Sequence, residues 1–229
     1  MTHKSIAIIP ARGGSKRIPN KNIIQFNGKP MIAWTISAAI ESMLFDRVLV
    51  STDDKDIANI AKSFGADVPF LRDKCNDDFT PISQATIHAV KQAENHWNEK
   101  YSLITQLMAN CPLRTASDIS LAQKSFFEKK RTFQISCFKY GWMNPWWACK
   151  IDLDGSPTRV FSEALNKRSQ DLPDLYCPTG AIWIAKRDAL LEEGTFYGDG
   201  HCFEVMPTFR AVDIDDDEDL AFSKALLSL

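Results

Sequence analysis

Residues 5–22 read SIAIIPARGGSKRIPNKN, so a short apolar run stands directly before a cationic segment that contains two glycines. A continuous apolar run of this length is typical of a strand that is buried on both faces, as in a parallel sheet. The run ends at Pro10. We therefore predict a central buried strand over 5–10 and a polar loop over 11–22.

Outward from this strand, short apolar runs alternate with stretches of helical spacing. The pattern predicts further strands over 46–51, 68–71, 101–108, 132–138 and 181–185 and a strand that ends at 212–215. It predicts helices over 30–44, 54–64, 82–96 and 117–130, near 187–192 and over about 217–228. Alternation of this kind favours right-handed crossovers and a parallel α/β sheet.

The stretch from about 140 to 176 interrupts the alternation. It contains Trp142, Trp146 and Trp147 together with two glycines, which break regular structure. We interpret this stretch as an inserted β-ribbon or arm that offers a contact surface. The alternative is a long surface loop whose tryptophans pack locally.

Composition narrows the function classes before any motif is considered. The 229 residues include 27 Lys and Arg against 29 Asp and Glu, which gives a net charge of −2 and a pI near 6.1. This balance argues against a nucleic-acid partner, whose binders are usually strongly basic. No apolar run approaches the ~20 residues of a membrane-spanning helix. Only six mostly apolar residues follow Lys4, too few for the core of a signal peptide.

The six cysteines, at 75, 111, 137, 149, 177 and 202, include no C-x-x-C pair. Their spacing is not typical of a metal site, and disulfide frameworks are typical of much shorter secreted chains. We predict reduced, mostly buried thiols in a cytoplasmic protein.

The loop over 11–22 is the first candidate functional segment. Ligands of open α/β sheets bind at the carboxyl ends of the strands, where this loop lies. Gly13 and Gly14 allow the backbone to approach a ligand closely. Four cations fall within ten residues: Arg12, Lys16, Arg17 and Lys21. Amides and cations together form a cradle for a polyphosphate; the alternative is a basic, solvated turn. Neither GxxxxGK[ST] nor GxGxxG is present, which excludes a P-loop and a dinucleotide fingerprint.

Acidic residues form the second candidate segment. Because residues i and i+2 of a strand face the same side, Asp213 and Asp215 would project together. Two carboxylates suit Mg²⁺ when phosphate oxygens and waters complete the octahedron. The alternative is an acidic helix N-terminus over 216–219, and we expect both to apply. Together, the cationic loop and the aspartate pair indicate a nucleoside triphosphate, Mg²⁺ and attack at phosphorus.

Motifs along nearly the whole chain resemble those of the acylneuraminate cytidylyltransferases, including the pseudaminic and legionaminic acid branches. They are ARGGSKRIPNKNI at 11–23, FNGKPMI at 26–32, VSTDD at 50–54, VPFLR at 68–72, CPLR at 111–114, NKRSQD at 166–171, PTGAIWI at 178–184 and VDID at 212–215.

The resemblance implies a three-layer α/β/α, Rossmann-like fold with a mostly parallel sheet, in one domain over 1–229. It implies that CTP and a sialic-acid-like sugar acid give the CMP-sugar and pyrophosphate, with Mg²⁺ and in-line attack of the anomeric hydroxyl on the α-phosphorus. The arm over about 140–176 would form a homodimer, and the tryptophans would form its core or line the acceptor pocket. The alternatives are another sugar acid, or a catalytically silent nucleotide-binding homologue.

The resemblance also implies roles for particular residues. The catalytic set is Arg12, Lys16, Lys21, Asp213 and Asp215, and the last two are the metal ligands. The nucleotide-binding set is Ala11, Arg12, Gly13, Gly14, Ser15, Lys16, Asn22 and Arg72. The substrate-binding set is Gln106, Arg168 and Gln170. Either Asp213 or a metal-bound water would accept the hydroxyl proton.

Two departures from the family pattern fall near the implied acceptor pocket. Met108 stands where the family has a sugar-contacting glutamine, although Gln106 lies two residues earlier. Thr179 replaces an asparagine in the PTGAIWI motif. The resemblance therefore defines the class of reaction more narrowly than it defines the identity of the acceptor sugar.

Overall fold

The computed structural model describes residues 4–77 and 79–227. Its strands are β1 (Ser5–Pro10), β2 (Gln25–Phe26), β3 (Lys29–Pro30), β4 (Arg47–Ser51), β5 (Leu103–Gln106), β6 (Phe133–Lys139), β7 (Cys149–Ile151), β8 (Pro157–Arg159), β9 (Tyr176–Lys186) and β10 (Cys202–Val205). Its α-helices are α1 (Met31–Glu41), α2 (Lys55–Ser63), α3 (Ile82–Trp97), α4 (Ala116–Glu128), α5 (Arg187–Glu193) and α6 (Asp217–Leu226).

The main sheet has six strands in the order β10-β6-β9-β5-β1-β4. β1 pairs in parallel with β4 and with β5, and β10 pairs in parallel with β6. β9 alone runs antiparallel to its neighbours β5 and β6. The predicted mostly parallel sheet is therefore confirmed, with one reversed strand inside it.

Alternate residues of β1 pack against opposite helical layers. Ala7 and Ile9 are buried in a cluster that includes side chains of α1, α2 and α4. Ile6 and Ile8 are buried in a second cluster with side chains of α3 and α5. Since helices cover both faces of the sheet, the expected three-layer α/β/α arrangement is confirmed, and β1 is buried on both faces as predicted.

Two predicted strands do not occur. At 68–71 the chain only bridges the sheet through Asp67, which pairs with Leu49, and Pro69 then offers no amide hydrogen to a ladder. At 212–215 the chain runs beside the sheet without strand pairing. The short edge strand β10 was not predicted, because most of its four residues are exposed and it forms no apolar run.

The predicted acidic start of the last helix is confirmed. Asp216 caps α6 and accepts the amide of Asp219, whose carboxylate accepts the amide of Asp216 in return. This reciprocal capping satisfies two amides that the helix itself leaves unpaired. The helix is described as far as Leu226, and residue 228 of the predicted helix lies outside the described residues.

The stretch over 140–176 contains an antiparallel ribbon, as interpreted from the sequence. β7 and β8 pair with each other and with no strand of the main sheet, and all six of their residues are exposed. Large apolar side chains are exposed around them, among them Trp142, Ile151 and Leu153. Trp146 instead packs locally, donating from Nε1 to Pro173 O at 2.9 Å.

The structure also bears on two predictions from composition. All six cysteines are free, but only Cys111 and Cys137 are buried, so the prediction of mostly buried thiols was wrong. Cys149 and Cys202 are exposed because they lie on the ribbon and on the edge strand β10. None of the helices in the described part of the chain combines the length and the apolarity needed to cross a bilayer.

Candidate active site

A cavity of about 510 Å³ opens at the carboxyl end of β1. Eight residues predicted from the sequence line it: Arg12, Ser15, Lys16, Lys21, Asn22, Arg72, Asp213 and Asp215. The fold thus brings together a loop near the start of the chain and an acidic segment 198 residues further on. This location agrees with the rule that open α/β sheets bind ligands beyond the carboxyl ends of their strands.

Hydrogen bonds to a backbone carbonyl and to a carboxylate hold the glycine loop in place. The Gly13 amide donates to Asp53 Oδ1 at 3.0 Å, and the Ala11 amide donates to Ser51 O at 2.9 Å. A Cβ added to Gly13 would lie 2.6 Å from Asp54 Oδ2, so this position admits only glycine without rearrangement. Gly14, in contrast, faces open space. Ala11 and Gly13 therefore shape the loop and do not line the cavity themselves.

Arg72 and Asn22 are the buried polar members of the cavity wall. Arg72 donates from Nε to Asn76 Oδ1 at 2.9 Å, and its Nη2 lies 3.9 Å from Asp53 Oδ1. Burial lowers the pKa of Arg72, and the Asp53 carboxylate opposes this shift. Asn22 donates from Nδ2 to Arg12 O at 3.0 Å, which holds the backbone of the cationic loop.

Asp213 and Asp215 do project to one side, as the spacing predicted, although no strand positions them. Ile214 between them is fully buried, and its amide donates to Asn110 O at 2.9 Å. The Asn110 side chain reaches both carboxylates, because Nδ2 donates to Asp213 Oδ1 and lies 3.3 Å from Asp215 Oδ1. Asn110 therefore positions the two carboxylates, a role that we expected strand pairing to have.

The two carboxylates differ in their electrostatic surroundings. Burial raises the pKa of Asp213 to about 6, and the neighbouring Asp215 adds to this rise. Burial acts in the same direction on Asp215, but hydrogen bonds from Lys21 and Arg17 outweigh it and leave the pKa of Asp215 below its usual value. The contacts are short: Lys21 Nζ to Oδ1 is 2.8 Å and Arg17 Nη2 to Oδ2 is 2.7 Å.

The donor set of this cavity fits a magnesium ion. Mg²⁺ is bound in proteins through one or two carboxylates together with substrate phosphates and waters, and the cavity offers two carboxylates beside the cationic loop. Within residues 4–77 and 79–227 there is no group of three or more His, Cys, Asp or Glu side chains that could hold a metal by itself. The arrangement thus suits an ion that arrives with a phosphate-bearing ligand.

The predicted substrate residues are not brought to this cavity in the single chain. Gln106 is fully buried and accepts from Thr86 Oγ1 at 2.6 Å, whereas Met108 lines the cavity. Arg168 lies on the arm, exposed, where it pairs with Asp171 at 2.7 Å. Gln170 lies beside it and is also exposed. The geometry of one chain therefore supports the nucleotide side of the prediction and leaves the acceptor side open.

Thr179 and Gly180 explain how Met108 fits beside the aspartates. Thr179 is buried and donates from Oγ1 to Ala211 O at 2.7 Å, which ties β9 to the acidic segment. A Cβ on Gly180 would come within 2.6 Å of Met108 Cγ. The replacement of an asparagine by Thr179 thus serves packing behind the cavity.

Sequence reasoning missed several lining residues. Asn110 gave no signal, because a single asparagine after a strand has many uses, and its partners lie 103 residues away. Ile18 and Ile82 give the cavity an apolar wall. Arg17 was noted as a cation of the loop, but its pairing with Asp215 requires the folded chain.

Comparison with known proteins assigns the chain to a family. The family model described as cytidylyltransferase matches residues 6–223. The pseudaminic acid cytidylyltransferase of Campylobacter jejuni (strain 81-176) is 35% identical over 97% of this chain and 96% of its own. The CMP-N,N'-diacetyllegionaminic acid synthase of Legionella pneumophila is 30% identical over 98% and 96%. A solved CMP:2-keto-3-deoxy-manno-octonic acid synthetase, in complex with CTP, shares the fold at a TM-score of 0.70 with 16% identity, covering 98% of each chain. The chain belongs to the cytidylyltransferase family, and it is a nucleotidyltransferase.

Proposed function

We propose that this protein joins CTP to a nonulosonic acid of the pseudaminic or legionaminic acid class, giving the CMP-sugar and pyrophosphate. The observation that carries the proposal is one cavity in which Arg12 and Lys16 face Asp213 and Asp215. The similarity to relatives named for pseudaminic and legionaminic acids, over almost the full length of each chain, supports the acceptor class.

The loop is the proposed triphosphate site. Arg12 and Lys16 neutralise the phosphate oxygens, and the lining Ser15 adds a hydrogen-bond donor. Fixed cations of this kind stabilise charge that develops on the non-bridging and leaving oxygens while the anomeric hydroxyl attacks the α-phosphorus in line. No covalent nucleophile is required, so the reaction needs no catalytic role for the cysteines.

Asp213 and Asp215 are the proposed ligands of Mg²⁺, which when bound would polarise the phosphate and neutralise its charge. Lys21 and Arg17 keep Asp215 ionised, the form in which a carboxylate binds metal. Asn110 holds both carboxylates toward the cavity. The buried Asp213, with its raised pKa, is also placed to accept a proton near neutral pH.

A homodimer formed through the arm would complete the acceptor side. The arm exposes Trp142 by 87% and Leu153 fully, so it presents apolar surface that a partner could cover. A partner's arm that covers this surface would also carry the charged Arg168 and the amide of Gln170 to a second chain, where they suit the carboxylate of a sugar acid. The reaction uses CTP, so we place the protein in the cytoplasm.

The decisive experiment supplies CTP and Mg²⁺ with a panel of sialic, legionaminic, pseudaminic and eight-carbon sugar acids and detects both pyrophosphate and the CMP-sugar. We expect product with CTP and a nonulosonic acid, and much less with UTP or GTP. Asp213→Ala should abolish turnover while the circular dichroism spectrum stays unchanged. CTP binding without turnover on any acceptor would instead identify a catalytically silent homologue.

A further inference from the structure

A second cavity, larger than the first, lies at the opposite end of the sheet. Its volume is about 780 Å³, and it shares no lining residue with the candidate active site. Ser5 and Leu103, the first residues of β1 and β5, line its floor, so it lies below the amino ends of the parallel strands. We call it the basal cavity. Its volume falls within the range of small-molecule sites, about 300–1,000 Å³.

One polar side chain that lines the basal cavity has no hydrogen-bond partner in the described chain. Gln123 of α4 lines the cavity and is only 8% exposed. Its side-chain amide makes no hydrogen bond with any residue among 4–77 and 79–227. The amide atoms themselves are not fully buried, so they are reached from the cavity. The amide is therefore available to a ligand that both donates and accepts hydrogen bonds.

The mouth of the basal cavity is cationic. Four basic residues line it against a single acid, Asp188: Lys130, Arg131, Lys186 and Arg187. Arg131 and Arg187 are held by carboxylates, since Arg131 pairs with Glu204 at 2.5 Å and Arg187 with Glu94 at 2.7 Å. Lys130 and Lys186 are exposed, and neither ammonium pairs with an acid within the described ranges. Two unshared positive charges remain for an anion.

Two aromatic side chains also line the basal cavity. Phe126 is 1% exposed and Phe127 is 58% exposed, and their rings meet edge to face with centroids 5.7 Å apart. Leu44 adds apolar surface to the lining. A flat ring that packs on these aromatic side chains would lie in the same cavity as the Gln123 amide and the two lysines.

We propose that the basal cavity binds a nucleoside monophosphate, or a ligand of the same build: a heteroaromatic ring with a hydrogen-bonding edge and a phosphate. Each part of this ligand answers one feature of the cavity. The ring packs on Phe126 and Phe127, the ring edge pairs with Gln123, and the phosphate is held by Lys130 and Lys186. The site is separate from catalysis, and the inference does not depend on the identity of the acceptor sugar.

Calorimetry on the Arg12→Glu/Lys16→Glu variant tests this site, because that variant has lost two cations of the catalytic cavity and keeps every lining residue of the basal cavity. We expect CMP or AMP to bind at one equivalent per chain. Inorganic phosphate, ribose 5-phosphate and the free nucleosides should each bind at least about tenfold more weakly, since each lacks one of the paired features. Amide hydrogen exchange over 126–131 should slow in the same samples.

Matched variants locate the binding. The double variant Lys130→Glu/Lys186→Glu should weaken binding at least about tenfold and leave cytidylyl transfer unchanged, whereas Lys62→Glu on the exposed face of α2 should change neither. Gln123→Leu should weaken binding of the nucleotide and not of ribose 5-phosphate. If no nucleotide binds to the Arg12→Glu/Lys16→Glu variant, or if adding the two lysine substitutions leaves the nucleotide bound as tightly, the proposal is wrong. Equal affinity for inorganic phosphate and nucleotide would also overturn it.

Discussion

At the scale of single residues, the site depends on side chains that act on one another more than on any isolated motif. Asp53 holds both the Gly13 amide and Arg72, and Asn110 holds both candidate metal ligands. The sequence predicts the charged residues because their number and spacing suit a triphosphate. It does not predict Asn110, because a hydrogen bond between residues 103 positions apart leaves no local pattern.

We expect Asn110→Ala to lower kcat/KM at least tenfold and to raise the Mg²⁺ concentration needed for half-maximal rate. The reason is that the variant loses the donor shared by the two carboxylates and the bond to Ile214 O at 3.1 Å. A loss of about 1–3 kcal/mol in unfolding free energy should accompany it. Asn95→Ala on the exposed face of α3 is the matched control. An unchanged Mg²⁺ dependence would contradict the positioning role.

The pKa of Asp213, raised to about 6 in the folded chain, predicts a pH-dependent stability without divalent ions. The proton that the folded state retains stabilises it below about pH 4, and this contribution disappears as the pH rises through about 6. Asp213→Asn should therefore gain stability relative to the unmodified protein between these values, by up to about 3 kcal/mol.

Urea denaturation in EDTA over this pH range measures the difference. Asp215→Asn is the control with the opposite sign, because the pKa of Asp215 is lowered and its contribution appears as the pH rises. If both variants follow the same pH dependence, the two carboxylates do not differ in the way that the structure indicates.

At the scale of elements, the buried strands were predictable and the irregular segments were not. β1 is an uninterrupted apolar run because helices cover both of its faces. The 212–215 segment has a strand-like alternation of residues, yet no strand pairing holds it. Its backbone is held by the bond from Ile214 N to Asn110 O and by the neighbouring bond from Thr179 Oγ1 to Ala211 O. An alternating sequence predicts which side chains project to the same side of a segment. It does not predict which hydrogen bonds hold the backbone of that segment.

The glycine loop yields a matched pair of substitutions. Gly13→Ala should destabilise the protein by about 1–3 kcal/mol and raise the KM for CTP, because the new methyl group meets Asp54, the cap of α2. Gly14→Ala meets nothing within 4 Å and should leave stability within about 0.5 kcal/mol. Thermal unfolding and CTP kinetics on both variants check this. Equal effects at the two positions would contradict the described loop.

At the scale of the whole molecule, the arm exposes apolar side chains that a second surface would cover. Its ribbon was predictable from the break in alternation, but no sequence pattern says which surface it meets. The chain presents Arg168 far out on this arm and the aspartate pair in the cavity. A site shared between two subunits would reconcile these positions.

Mixing two inactive variants tests this sharing. We expect Asp213→Asn and Arg168→Ala to be inactive alone and to regain up to about half the activity per heterodimer when refolded together, because one of its two sites is then intact. Sedimentation should show a dimer that Trp142→Asp dissociates, with Phe222→Asp on α6 as the control. If mixing restores nothing, Arg168 acts within its own chain or has no part in the reaction.

Helix α6 also holds the aspartate pair in place. The Asp215 amide donates to Asp219 Oδ2 at 2.9 Å, and Asp219 belongs to the cap that begins the helix. During synthesis on a ribosome, β1 and its cationic loop emerge first, and the two carboxylates and helix α6 follow some 200 residues later. The nascent chain therefore carries the cationic loop long before it carries the aspartate pair. The loop and the aspartate pair meet in a contact of very high sequence separation, and contacts of this kind slow folding. The site should accordingly be the last part of the molecule to form and the first to be lost from a chain that is cut short.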